Sequence, residues 1–121
     1  RILPNVITYS AAISACAKGK QPDRALELFE HMQQQGLLPD VISYNAAISA
    51  CEKGKKPERA AELLEHIRQQ GLTPDSISYS AAISACEKCK LWEQALDLFQ
   101  GMRHIRRAPR VITYSAVISA C

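Results

Sequence analysis

Apolar residues in this chain fall into short helical stripes that are interrupted at regular intervals. Ile7, Tyr9, Ala12, Ile13 and Cys16 are spaced one to three apart, a pattern that a helix gathers on one broad face. Gly19 follows Lys18 and Gly54 follows Lys53, as a left-handed cap after a basic last turn requires. Pro22 and Pro57, each followed by an acidic residue, Asp23 or Glu58, fit the first turn of a second helix, which tolerates proline and favours negative charge. That helix carries Ala25, Leu26, Leu28, Phe29 and Met32 in one place and Ala60, Leu63, Leu64 and Ile67 in another, a stripe suited to packing on a partner helix. Gly36 and Gly71 end it, and Pro39 and Pro74 prevent its continuation. The pattern predicts helix pairs and an all-α fold.

The helix pairs are copies of one unit. The block Val6 to Asp40 returns as Val41 to Asp75, more loosely as Ser76 to Arg110, and begins again at Val111. The first two copies agree at 25 of 35 positions and the second and third at 17. One such unit cannot bury its apolar face alone, so a 35-residue period predicts stacked units forming a solenoid. The expected division is the end of a preceding repeat at 1–5, repeats at 6–40, 41–75 and 76–110, and the first helix of a fourth at 111–121. Terminal repeats of such arrays usually present an atypical polar face. Neither end here does, and the chain is expected to be part of a longer protein.

The third copy departs most. Trp92 stands for the proline and Cys89 for the cap glycine, while Arg106, Arg107 and Arg110 replace Gly71, Leu72 and Asp75. Trp92 is expected to fill the contact between helices. The second helix of this copy is expected to run past Arg106 or to end differently. Arg103, His104, Arg106, Arg107 and Arg110 form a local basic cluster, either solvated surface or a site for phosphate or an anionic protein face.

Composition narrows function only slightly. A net charge of +3 and a pI near 8.7 permit a polyanionic partner without requiring one. No apolar run reaches the roughly 18 residues of a membrane span, and no targeting peptide is visible after Arg1. Cys16, Cys51, Cys86 and Cys121 occupy equivalent places and read as small apolar fillers. Stacked helices lie about 8–10 Å apart, too far for a disulfide, so reduced thiols are expected. Cys86 and Cys89 form C-x-x-C without the second pair that a zinc site needs. Glu27 with His31 and Glu62 with His66 read as solvated helix pairs. No cofactor, metal or small-molecule substrate is implied.

A 35-residue helix pair opening V-I-T-Y-S or V-I-S-Y-N, continuing A-A-I-S-A-C-x-K-G-K and A-x-E-L-x-E-H, and closing G-L-x-P-D resembles the pentatricopeptide repeat family. The W-x-x-L-G-x-x-Y signature of the tetratricopeptide repeat, whose period is about 34, is absent. The resemblance implies a right-handed α-solenoid superhelix of stacked helix-turn-helix repeats. It also implies single-stranded RNA as partner, read at one base per repeat along a concave face of first helices, in a mitochondrion or chloroplast.

In that family two side chains read each base: the residue after the repeat tyrosine and the last residue of the repeat. The resemblance assigns these roles to Ser10 with Asp40, Asn45 with Asp75, and Ser80 with Arg110, with Ser115 opening the fourth pair. Ser with Asp favours guanine in family terms, and Asn with Asp favours uracil. Arg110 has donors only and cannot take the acceptor role of Asp40 or Asp75. A second reading of Ser10 and Asn45 is that they cap the first helical turn.

Ile7, Ile42, Ile77 and Ile112 match the family position that clamps a base between aliphatic side chains. From composition they would be core. Lys18, Lys53 and Lys88 match a basic position near phosphate, and they also suit the negative end of a helix.

Three functions are therefore weighed. The first is a non-catalytic RNA-binding array acting in organellar RNA processing, stability or translation. The second is an α-solenoid scaffold that contacts protein subunits of a large organellar complex, whether ribosome, photosynthetic or respiratory assembly. An enzyme is disfavoured: the zinc deaminase signature H-x-E with P-C-x-x-C is absent, and the carboxylates are dispersed rather than clustered for metal catalysis.

Overall fold

The computed structural model describes residues 4–103, and these form six helices, α1 (Val6–Lys18), α2 (Pro22–Gln34), α3 (Val41–Lys53), α4 (Pro57–Gln69), α5 (Ser76–Lys88) and α6 (Trp92–Arg103). The fold is an all-α solenoid. The expectations for Arg106, Arg107, Arg110, Ile112, Ser115 and Cys121 fall outside the described residues.

Capping starts each first helix. Asn5, Asp40 and Asp75 lie at the N-caps of α1, α3 and α5 and accept from the backbone N–H of Thr8, Ser43 and Ser78 respectively. This is the ordinary way to satisfy an orphan donor of a first turn, and Ser10 and Asn45 take no part in it. The alternative reading of those two residues as caps is thus set aside, because the residue ending the preceding copy already fills that place. Pro22 and Pro57 open α2 and α4 as expected.

The first helices end differently from the sequence expectation. Gly19 and Gly54 have φ of −85° and −89°, and the left-handed residue is the next one, Lys20, Lys55 or Lys90, with φ of 61°, 57° and 60°. The N–H groups of Gln21, Lys56 and Leu91 reach back to the carbonyls of Cys16, Cys51 and Cys86, the closing bond of a Schellman motif. Gly54 has another reason to be small. A Cβ there would sit 3.1 Å from Pro22 Cβ and 3.3 Å from the Ala50 carbonyl oxygen, so the missing side chain lets one copy seat on the proline of the previous one. The second helices do end on left-handed glycines, Gly36 and Gly71, at φ of 81° and 79°.

Packing divides the helices into two layers. First helices stack directly on each other, α1 on α3 and α3 on α5, while α2 lies against α1 and α3 and α4 lies against α3 and α5. Ala47, Ala50, Cys51, Ala82, Ala85 and Cys86, all fully buried, are small enough to let first helices approach closely. Among the described residues no second helix packs its backbone on another. α2 and α4 are instead linked through Lys56 with Asp23 at 3.1 Å and Arg59 with Glu30 at 3.4 Å. The first-helix layer is thus the more tightly stacked of the two, as expected of the concave side of a curving solenoid.

The core runs between the layers. Ile13, Ile48 and Ile83 from first helices meet Phe29, Met32, Leu63, Ile67 and Met102 from second helices, all essentially without exposure. Each such apolar side chain removed from water contributes about 1.5–3 kcal/mol. The repeat tyrosines tie the layers together by three different means. Tyr9 hydroxyl lies 2.8 Å from His31 Nδ1, Tyr44 packs its ring 5.3 Å from that of Phe29, and Arg68 donates to Tyr79 hydroxyl at 2.6 Å. His31 therefore pairs with Tyr9 across the hairpin, not with Glu27 along its own helix.

Trp92 also departs from expectation. It is 53% exposed at the start of α6. The cysteines Cys16, Cys51, Cys86 and Cys89 are free. Burial pushes the Cys51 and Cys86 thiols up to about 11, so at neutral pH they are protonated filler.

Candidate functional site

The concave layer presents a repeated stripe along each first helix. Ile7, Ser10, Ser14 and Lys18 are three to four apart and so share one face of α1; Ile42, Asn45, Ser49 and Lys53 do so on α3, and Ile77, Ser80, Ser84 and Lys88 on α5. Ile7, Ile42 and Ile77 are 77%, 69% and 43% exposed. Their expectation as core residues fails, because the small residues elsewhere on the helix make the stack and leave this stripe facing outward. Isoleucines exposed at the same place in successive copies form an apolar ladder on the surface, the kind of feature that marks a binding face.

Three turns along, the lysines close the stripe. Lys18 and Lys53 are exposed and have no ion-pair partner among the described residues. Lys88 is bonded to Glu52 of the preceding copy. The cause is a single substitution: the residue before Lys53 is Glu52, whereas the residue before Lys18 is Ala17, so only the later lysine meets a carboxylate one copy back. The three lysines are therefore not electrostatically equivalent.

At the two junctions between described copies, the residue after the tyrosine is linked to the carboxylate that caps the next first helix, through Ser43 at the first and directly at the second. Between the first and second copies, Ser10 hydroxyl lies 2.6 Å from Ser43 hydroxyl, which lies 2.8 Å from Asp40 Oδ1. Ser10 hydroxyl is also 2.7 Å from the Val6 carbonyl. Two hydroxyl hydrogens serve these three contacts. Either Ser10 donates to Ser43 and Ser43 to Asp40, or Ser43 donates to Ser10 and Ser10 to Val6.

Between the second and third copies the contact is direct. Asn45 Nδ2 donates to Asp75 Oδ1 at 3.2 Å, and Ser78 hydroxyl bonds Asn45 Oδ1. The same Ser78 oxygen accepts from the Asp75 backbone N–H at 3.2 Å and lies 3.1 Å from Asp75 Oδ1. Burial pushes the Asp75 carboxyl up, but the bonds from the Ser78 backbone and hydroxyl, the Asn45 amide and the Ile77 backbone outweigh it and hold the group below its ordinary value. Ser80 is half-buried on α5, and its partner Arg110 lies outside the described residues.

Ser43 and Ser78 were not among the sequence candidates. The signal for them was present in the repeat itself, since Thr8, Ser43, Ser78 and Thr113 put a hydroxyl at the third place of every copy. Among the described residues no group of His, Cys, Asp and Glu could hold a metal ion, and no helix is long and apolar enough to cross a membrane.

Models of the PPR repeat family match residues 4–53 and 39–88, and a single PPR repeat matches 77–106. The chain belongs to the pentatricopeptide repeat family. Its fold is similar to that of the PPR protein PPR10 in complex with an 18-nt psaJ RNA element, with a TM-score of 0.88 and 29% identity over 98% of this chain. A crystal structure of PPR10 from maize gives 0.84 and 26% over the same share. This chain spans 17% of the length of PPR10 in both. The PPR domain of protein-only RNase P 1 from Arabidopsis thaliana, in complex with tRNA, shares the fold at a TM-score of 0.78 and 18% identity, over 99% of this chain and 62% of that one. No curated protein matches the chain. Membership in the PPR family accounts for the period and the paired helices.

Proposed function

We propose that this chain is a non-catalytic array that binds single-stranded RNA, one base at each junction between copies. The observation that carries the reading is the placement of Asn45 against Asp75, and of Ser10 against Asp40 through Ser43. Each set lies three residues from an exposed isoleucine on the concave layer. Two PPR relatives are described in complex with RNA, PPR10 with the psaJ element and the RNase P 1 domain with tRNA, which supports RNA as the ligand class.

The chemistry of the two junctions suits different bases. Asp40 is exposed while Ser10 is only 7% exposed, so the first junction offers an outward carboxylate, an acceptor for a base edge with adjacent N–H donors such as guanine. Asn45 and Asp75 are both half-buried, and the amide offers a donor and an acceptor together, which matches the alternating edge of uracil. Ile7, Ile42 and Ile77 would hold bases by apolar contact, and Lys18 and Lys53 would meet phosphate. This reading takes the copies as divided at 6–40, 41–75 and 76–110. The compartment it assigns is a mitochondrion or chloroplast, as is common in the family.

The test is fluorescence anisotropy with single-stranded RNAs that differ only at the base facing Asn45 and Asp75, over a salt series. Asn45→Ser is expected to move preference from U toward G at that position. The salt slope is expected near −0.7 per phosphate contacted. Folded protein that binds no RNA at low salt would overturn the proposal in favour of a scaffold contacting protein subunits.

A further inference from the structure

At both junctions a serine from the following copy stands between the two side chains proposed to read the base. Ser43 and Ser78 are each 0% exposed, and a hydroxyl is buried without penalty only where its bonds are met. Theirs are met by the reading pair itself: Ser43 by Ser10 and Asp40, Ser78 by Asn45 and Asp75. The hydroxyl also persists through the repeat, as Thr8, Ser43, Ser78 and Thr113, while the residue two places later changes between Ser10, Asn45, Ser80 and Ser115. We infer that Ser43 and Ser78 are positioning residues that set base choice at the junction with the preceding copy, an inference that rests on the base-reading function proposed above.

Asn45 is held at both ends of its amide. A carboxylate only accepts, so Asp75 requires the Nδ2 end of the amide to face it, and Oδ1 is then the end that faces Ser78. Ser78 has one hydrogen for two acceptors, Asn45 Oδ1 and, at 3.1 Å, Asp75 Oδ1, and its shorter contact, to Asn45, holds the second end of a group whose terminal torsion is otherwise broad. With both ends held, the remaining N–H of Nδ2 and the remaining lone pair of Oδ1 have fixed directions toward a base. Without the Ser78 hydroxyl, Oδ1 loses its donor and the amide can present either end outward. At the first junction, Ser43 occupies the bonding capacity of Ser10 in both proton arrangements described above. The Ser10 hydrogen is then committed to Ser43 or to Val6, and this leaves its oxygen as an acceptor only. A reading site is therefore a property of two adjacent copies, and the third residue of one copy tunes the base taken by the copy before it.

The test uses the full chain with asparagine labelled by nitrogen-15, together with RNAs that differ at the single base facing Asn45. Ser78→Thr and Ser78→Val form a shape-matched pair differing in the hydroxyl, and Ser78→Ala is the smaller alternative if the larger side chains do not fold. Ser78→Thr is expected to keep the discrimination between U and other bases. Ser78→Val and Ser78→Ala are expected to lower it about tenfold, the weight of one hydrogen bond, with binding of the less favoured bases unchanged. In the free protein the Asn45 side-chain amide signals are expected to shift and exchange faster in Ser78→Val and Ser78→Ala only.

Unchanged discrimination in folded Ser78→Val and Ser78→Ala, alongside a changed base preference in Asn45→Ser, overturns the positioning role and leaves base reading standing. Unchanged base preference in Asn45→Ser overturns base reading itself, and this inference with it. The amide signals, which need no RNA, show whether Ser78 holds Asn45 in either case.

Discussion

The two junctions use the same three positions and arrive at opposite exposures. Between the first and second copies the carboxylate of Asp40 is exposed and the serine it serves is closed over. Between the second and third, Asn45 reaches Asp75 directly and both are half-buried. The difference begins with one residue. A serine side chain is too short to span the junction, so Ser43 relays between Ser10 and Asp40. An asparagine is long enough to meet the carboxylate, and Ser78 then braces it from the other end. One substitution in a stack of nearly identical copies thus changes which atoms remain free for a ligand, without altering the helices that carry them.

The comparison predicts unequal costs for losing the carboxylate. Asp75→Ala removes the cap of α5 and leaves the Asn45 amide without its acceptor, and it is expected to cost about 1–2 kcal/mol in a denaturant melt. Asp40→Ala removes the cap of α3 from an exposed site and takes one acceptor from the Ser43 hydroxyl, which keeps Ser10 at 2.6 Å, with an expected loss of about 0.5–1 kcal/mol. Equal losses would show that the Asn45 contact adds nothing to the cap.

Acid sharpens the same comparison. The folded Asp75 carboxyl titrates below its unfolded value, so its contribution is fully present above the unfolded pKa of about 3.9 and is lost as pH falls through the lower folded value. Wild-type stability measured between pH 5 and 2 is expected to fall more steeply than that of Asp75→Ala. Parallel curves would mean that the bonds to Asp75 contribute no net stabilisation.

The smallest expected effect concerns the lysines beside these junctions. Glu52→Ala frees Lys88, and as Glu52 and Lys88 form one ion pair at the surface, stability is expected to change by no more than about 1 kcal/mol. RNA binding is expected to gain about one phosphate contact, steepening the salt slope by about 0.7. An unchanged slope would place Lys88 away from the RNA backbone.

Much of the molecule was legible along the chain because repetition compares each position with itself. The helix pairs, their proline starts and the left-handed Gly36 and Gly71 follow from local rules that hold whatever surrounds them. So does the family, since its motif is contiguous. Local rules failed where a neighbouring copy decides. Gly19 and Gly54 looked like left-handed caps, yet Lys20 and Lys55 take that conformation and Gly54 is small because Pro22 lies against it. Trp92 looked like a filler, yet it is 53% exposed, and the equivalent Pro22 is met by Gly54 of the next copy.

The isoleucines show the same limit from the other side. Ile7, Ile42 and Ile77 are as apolar as Ile13, Ile48 and Ile83, and hydropathy alone puts both sets in the core. Stacking of first helices through alanine and cysteine decides that one set is buried and the other faces out. The residues of the proposed reading pairs were visible, but the serines that join them were not, because a hydrogen bond between residues 33 apart exists only once two copies dock. Residue order along the chain is enough to set the unit: its helices, their punctuation and its period. Tertiary structure alone decided how a unit meets its neighbour, because that contact depends on which atoms of two separate helices come within bonding distance.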